Sequence, residues 1–326
     1  MKPSWQVILL LGPLLSSAAY CAEVQKITIG LISTTNPEDT KRRWQPLIDD
    51  FAASSKYEVK SVVSGSYADI VNGLKNNTIQ VAWMGNKLAL DAVVDGKVVV
   101  FAQMVKKDGS LGYSSVLITQ KNSAIQTLGD VTSKPGAFTF ADGDPKSTSG
   151  HLIPEFFVFA RNKLDPETHF KKIVVGNHQK NLTLVANHEV DLATNNTEEL
   201  DRLKKEDPEL LAKLRVFWTS PQVANDPLLY RTDLPDGVKA KVEEFFYGYG
   251  KKQPHQLDIL DKILGLSGFH RSSNAQLEPI AKLESFSQLR TVSNNASLTP
   301  EQKQKASDEI NARLKKLEAV MGPAAK

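Results

Sequence analysis

Short apolar runs rich in β-branched residues alternate with stretches whose apolar positions recur every three or four residues. Lys26–Ser33 (KITIGLIS) reads as a buried strand, and Trp44, Leu47, Ile48 and Phe51 then follow at helical spacing. Glu58–Val63 is the next strand, Tyr67–Leu74 a short helix with Ile70, Val71 and Leu74 on one face, and Ile79–Trp83 and Val98–Val105 are further strands. The alternation restarts with Tyr113–Thr119 and continues through strands at Ala137–Ala141, Lys172–Val175, Val190–Ala193 and Leu214–Thr219, ending near Asp226 and Pro227. From about Leu234 onward the pattern is mostly helical. Its last piece, Thr299–Val320, opens on a capping signature of Thr299, Pro300 and Gln302. Ile310, Leu314 and Leu317 give that helix an apolar stripe, expected to pack on the chain's own body, with a dimer contact as the alternative.

Strands alternating with helices predict an α/β protein with largely parallel sheets. Two such units joined by two extended crossings predict two lobes: residues 23–119 with 226–326, and residues 120–225. Clefts between lobes commonly bind ligands and close by hinge motion.

A chain of 326 residues is long enough for two such cores. The 40 basic and 37 acidic residues leave a net charge of +3, so no nucleic-acid footprint is expected and any anion site must be local. The one cysteine, Cys21, gives no disulfide framework, and the six histidines show no metal-ligand pairing, so no metal or other cofactor is expected. Residues 1–22 read as a secretory signal: Lys2, then the apolar run Val7–Leu15, then the small residues of Ser16–Ala22. Cys21 invites comparison with a lipid anchor, but the bulky Tyr20 before it argues against one.

The stretch that carries chemistry is Phe138–Phe157, FTFADGDPKSTSGHLIPEFF. A strand runs into a Gly- and Pro-containing loop, then three consecutive hydroxyl residues, Ser147, Thr148 and Ser149, then Gly150 and an apolar helix. A helix start offers unpartnered N–H groups and a partly positive end, to which hydroxyls add donors. Anion binding and ordinary N-capping both fit that pattern. The Gly-Lys-Ser/Thr ending of a Walker loop is absent.

DGDPKSTSG resembles the signature of the phosphonate-binding periplasmic proteins of phosphonate ABC transporters. Colinear blocks extend the resemblance over most of the chain: GLIST (30–34), SYADIVNG (66–73), VAWMGN (81–86), FAQMVKKDGSLGYSSVLI (101–118), ATNNTEELDRLK (193–204) and FHRSSNAQLEPI (269–280). It implies a two-lobed periplasmic binding protein of type II topology with a helical C-terminal extension. It also implies phosphonate contacts at Tyr67, Tyr113, Ser147, Thr148, Ser149 and His178, and contacts to a ligand amino group at Glu198 and Asp226. Two flanking positions depart from the family pattern: Lys146 stands in place of a neutral amide and Met84 in place of an aromatic residue. Apart from the resemblance, Tyr67, His178, Glu198 and Asp226 read as solvated residues and Tyr113 as a strand residue with a polar tip. His151 reads as structural, and Trp44, Trp83 and Trp218 as core.

Carboxylates beside a dianion repel it unless the ligand also carries a cation. The acid pair therefore implies an amine-bearing ligand such as 2-aminoethylphosphonate, held by charge-assisted bonds. The implied protein is a periplasmic, non-catalytic monomer or weak dimer that passes a small phosphonate to an inner-membrane ABC permease. A phosphate or phosphite receptor feeding a sensor protein is the alternative. A phosphoester hydrolase would need a nucleophile with an adjacent base, for which Ser147 and His178 are the one imaginable pair.

Overall fold

The computed structural model describes residues 25–322; the leader expected over 1–22, Cys21 included, lies outside them. The chain opens with β1 (Lys26–Ile32), α1 (Pro37–Ser55), β2 (Glu58–Ser64), α2 (Tyr67–Lys75), β3 (Val81–Trp83), α3 (Asn86–Val93) and β4 (Val98–Lys106). α1 begins where Asn36 accepts a hydrogen bond from the Asp39 N–H at 2.8 Å and Pro37 presets the first turn. The predicted stripe of Trp44, Leu47, Ile48 and Phe51 is buried. Trp44 stacks on Trp83 at 5.2 Å, tying α1 to the sheet.

A first crossing carries the short β5 (Gly112–Tyr113) into β6 (Ser115–Gln120). There follow α4 (Leu128–Thr132), β7 (Thr139–Asp142), α5 (Pro166–His169), β8 (Lys172–Val175), α6 (His178–Ala186), β9 (Leu192–Asn196), α7 (Thr197–Glu206), α8 (Pro208–Ala212) and β10 (Leu214–Thr219). A second crossing carries β11 (Val223–Ala224) into β12 (Pro227–Arg231). The chain finishes with α9 (Asp236–Gly248), α10 (Pro254–Leu264), β13 (Leu266–Arg271), α11 (Glu278–Asn294) and α12 (Pro300–Met321).

The strands form a six-stranded sheet of order β13-β4-β12-β3-β1-β2 and a five-stranded sheet of order β10-β6-β9-β7-β8. Each sheet has the same plan: second, first and third strands of the unit, then a strand from a crossing, then the fourth. Both sheets are mixed, whereas the alternation predicted largely parallel ones. The reason is that each crossing strand enters reversed, β12 running antiparallel to β3 and β4 and β6 to β9 and β10, and that β13 is added antiparallel to β4. β12 (PLLYR) is buried at every residue. β13 lies in the region expected to be mostly helical; its register shift between Leu266 and Gly268 breaks the alternation that would mark a strand. The two crossings pair with each other as an antiparallel ribbon, Tyr113 opposite Val223 and Gly112 opposite Ala224.

At the C-terminus α12 starts with the predicted capping box, Thr299 and Gln302 bonding reciprocally. Leu317 is fully buried and Leu314 packs half-buried on the same core, as the stripe predicted. Arg313 anchors the helix through Asp91 at 2.7 Å and Glu284 at 2.6 Å. Truncating Leu317 to Ala should cost about 2–4 kcal/mol in urea unfolding, as for a filled core position. Leu257→Ala on exposed α10 surface should stay within about 0.5 kcal/mol. A Leu317→Ala loss no larger than that of Leu257→Ala would show that α12 does not pack on the body in solution.

Candidate functional site

The hydroxyl cluster is held by a tight backbone crossing. Gly143 N–H donates to the Gly150 carbonyl at 2.9 Å, and a Cβ at Gly143 would lie 2.6 Å from Gly150 backbone atoms. Only glycine permits that approach. Gly150 therefore serves the loop packed against it. Ser147 has extended backbone and caps the following turn, its Oγ accepting from Gly150 N–H at 3.0 Å. That turn is π-helical over Thr148–Leu152, with a second π-helical stretch over Glu155–Ala160, where the sequence predicted an ordinary helix. Its first bond runs from Leu152 N–H to the Ser147 carbonyl, one residue further than in an α-helix, and π turns of this kind recur at functional sites.

Thr148 reaches across to the other sheet's helices. Its Oγ1 accepts from Lys87 N–H at 2.9 Å, supplying the side-chain cap that α3, with Gly85 at its N-cap, lacks. Ser149 is set by its backbone carbonyl, which accepts from Ser115 Oγ at 2.7 Å, and by its hydroxyl, which accepts from Asn196 Nδ2 at 3.2 Å.

His178 opens α6 behind the N-cap Asn177. Asn196 Nδ2 donates to its Nε2 at 3.1 Å, which leaves the proton on Nδ1, and Nδ1 is buried without a partner. Burial pushes the imidazole down to about 4, so it is neutral at physiological pH. Tyr67 and Tyr113 are buried phenols whose pKa values burial raises, so both remain donors.

The two carboxylates come from different bodies. Glu198 sits in the first turn of α7; burial raises its pKa, and Lys106, with Nζ at 3.3 Å, pulls the other way. Asp226 follows the second crossing. Burial raises it well above the ordinary aspartate value, the Glu198 charge adds to that, and Trp83 and Tyr113 oppose it; Tyr113 donates its hydroxyl at 3.4 Å.

All eight residues expected from the sequence line one cavity, and none is more than 7% exposed. Trp83 and Asn196 line it too. Trp83 was expected in the core, and it is buried there, but its Nε1 is unpartnered at the pocket wall. Asn196 was readable as the residue before Thr197-Glu198, since it caps α7 by accepting from Glu199 N–H at 2.8 Å. Lys106 had no signal in the sequence. Lys146 turns away to pair with Asp91 at 2.5 Å, and Met84 is buried and not among the residues that line the cavity. His151 pairs with Asp142 at 2.7 Å, a structural role as expected. The hydroxyl nearest His178 is that of Ser149 at 3.5 Å, while Ser147 is committed to its cap. Among the described residues no cluster of three metal-ligating side chains occurs, and no helix is long and apolar enough to cross a membrane.

A family model described as "ABC transporter, phosphonate, periplasmic substrate-binding protein" matches residues 29–277. The chain is 40% identical to the phosphonates-binding periplasmic protein of Escherichia coli K12 over 305 residues, covering 93% of this chain and 89% of that one. A solved binding-protein component of an ABC phosphonate transporter from Pseudomonas aeruginosa superimposes with a TM-score of 0.83 at 39% identity, over 91% of this chain and 98% of that one. The fold also matches PhnD1 of Prochlorococcus marinus, solved with methylphosphonate, at a TM-score of 0.71 and 21% identity, over 79% of this chain and 97% of that one. The chain thus belongs to the family of periplasmic substrate-binding proteins of phosphonate ABC transporters.

Proposed function

We propose that the chain binds an aminoalkylphosphonate, 2-aminoethylphosphonate by preference, by closing two lobes (23–119 with 226–326, and 120–225), and delivers it to the permease of an ABC importer without chemical change. The observation that carries this reading is a donor set and a carboxylate pair facing one cavity. Tyr67, Ser147, Thr148, Ser149 and the free Nδ1–H of His178 supply hydroxyl and N–H donors for three phosphonate oxygens. Glu198 and Asp226 supply the acceptors for an ammonium. A neutral imidazole suits this task, because it donates without adding a charge that must be buried.

Relatives named for phosphite binding and phosphate import are 22% and 25% identical to this chain. Neither of those ligands carries a cation, and two carboxylates in a buried site disfavour them. Calorimetric titration should rank 2-aminoethylphosphonate tightest, ahead of methylphosphonate, phosphite and phosphate. Glu198→Ala should reduce the 2-aminoethylphosphonate preference at least tenfold while changing methylphosphonate affinity much less, and Ser149→Ala should weaken every phosphonate; equal losses for both ligands in Glu198→Ala would refute the ammonium role.

Closure without ligand should respond to pH in two opposed ways. Asp226 and Glu198 bind their protons more tightly when closed, so acid favours closure through them as pH falls toward the ordinary values of 3.8 and 4.5. His178 binds its proton less tightly when closed, so acid opposes closure through it between 6.5 and about 4. By small-angle scattering, Glu198→Gln combined with Asp226→Asn, which removes both carboxylates whose pKa burial raises, should therefore make the ligand-free protein expand as pH falls through that window. His178→Asn should make it contract. The same response in both variants would show that these groups do not change environment on closing.

A further inference from the structure

Lys106 closes β4 with its backbone fixed on both sides: its N–H donates to the Ser110 carbonyl at 3.0 Å, and Ser267 Oγ donates to its carbonyl at 2.8 Å. The stem runs inward, leaving the side chain 12% exposed. Nζ meets Glu198 Oε1 at 3.3 Å and the Leu264 carbonyl, the C-terminal residue of α10, at 3.2 Å. Glu198 and Leu264 both line the cavity. An ammonium on an apolar stem thus already occupies the acceptor that a ligand's amine would seek. Asp226, by contrast, takes only a long bond from Tyr113.

We infer that Lys106 is a specificity-determining residue, which competes with a ligand's ammonium for Glu198 and sets how far the pocket prefers aminoalkylphosphonates over phosphonates without an amine. This rests on the phosphonate-binding reading above. With both carboxylates ionised, Lys106 leaves the acid end one net negative charge; without it the acid end has two. An amine-free dianion then meets the full repulsion of the pair, whereas a ligand that brings its own cation finds Glu198 vacated and gains a partner. Lys106 therefore narrows the discrimination that the acid pair alone would impose: the amine shares Glu198 with Lys106, and Asp226 is the less occupied of the two acceptors.

Lys106→Met keeps the stem and removes the charge, and Lys106→Gln keeps a donor without a charge, so a folding defect in one variant does not decide the matter. In titrations with 2-aminoethylphosphonate and methylphosphonate, both variants should raise the affinity ratio of the amine ligand to the amine-free one about tenfold or more, the scale of a desolvated charge pair. The change should come mainly from weaker methylphosphonate binding. Lys106→Arg should keep the wild-type ratio, and so should Lys107→Met, whose ammonium is 70% exposed and pairs with Asp261 outside the cavity. A ratio that stays constant or falls in the charge-free variants overturns the inference while leaving the binding reading intact. Failure of the wild-type protein to bind either phosphonate overturns both.

Discussion

Two carboxylates sharing one buried cavity need a cation or a proton, because desolvation costs several kcal/mol per ion and their mutual repulsion adds to it. Glu198 and Asp226 impose that requirement on the whole molecule. They arrive from opposite sheets, so their repulsion acts across the cleft and not within one lobe. Lys106 meets part of the demand from β4, and Tyr113 and Trp83 meet a little more by favouring the ionised form of Asp226. The hydroxyl side of the cavity has the complementary arrangement: donors without charge, including a histidine that burial keeps neutral.

Several bonds exist only where the two bodies meet. Thr148 caps a helix to which it does not belong, Lys106 bonds to Glu198, Arg43 of α1 bonds to Glu206 of α7 at 2.6 Å, and Asn177 donates to the Thr35 carbonyl at 2.5 Å. The Thr148 bond matters for the chemistry as well as for the joint. One oxygen lone pair is engaged by Lys87 N–H, which leaves the hydroxyl proton uncommitted to that bond, as the proposed role of Thr148 as a donor requires.

Much of this was legible in the sequence, and the failures follow a pattern. Features written in local spacing were read correctly: the α1 stripe and the capping box at Thr299. β12 and β13 were missed because a five-residue buried run and a bulged strand carry no period that separates them from a crossing or a helix. The π-helical turn at Thr148 is set by Gly143 packing on Gly150, a contact between residues seven apart that no helical period encodes. Lys106 and Trp83 belong to the same class. Their role depends on what stands opposite them across the cavity, and the residues opposite come from nearly one hundred positions away in the case of Lys106 and Glu198. The eight residues that line the cavity were named together through family resemblance, since chemistry alone read half of them as solvated surface.

The paired crossings have a mechanical meaning. Tyr113 is itself a rung of the β5–β11 ribbon, and Asp226 lies two residues beyond Ala224, the other strand's last rung. Any swivel of one sheet against the other must be absorbed by torsions in these two short segments. On the proposed reading, the groups that would feel the guest are mounted on the axle, and guest and swivel would share a lever arm of almost zero length.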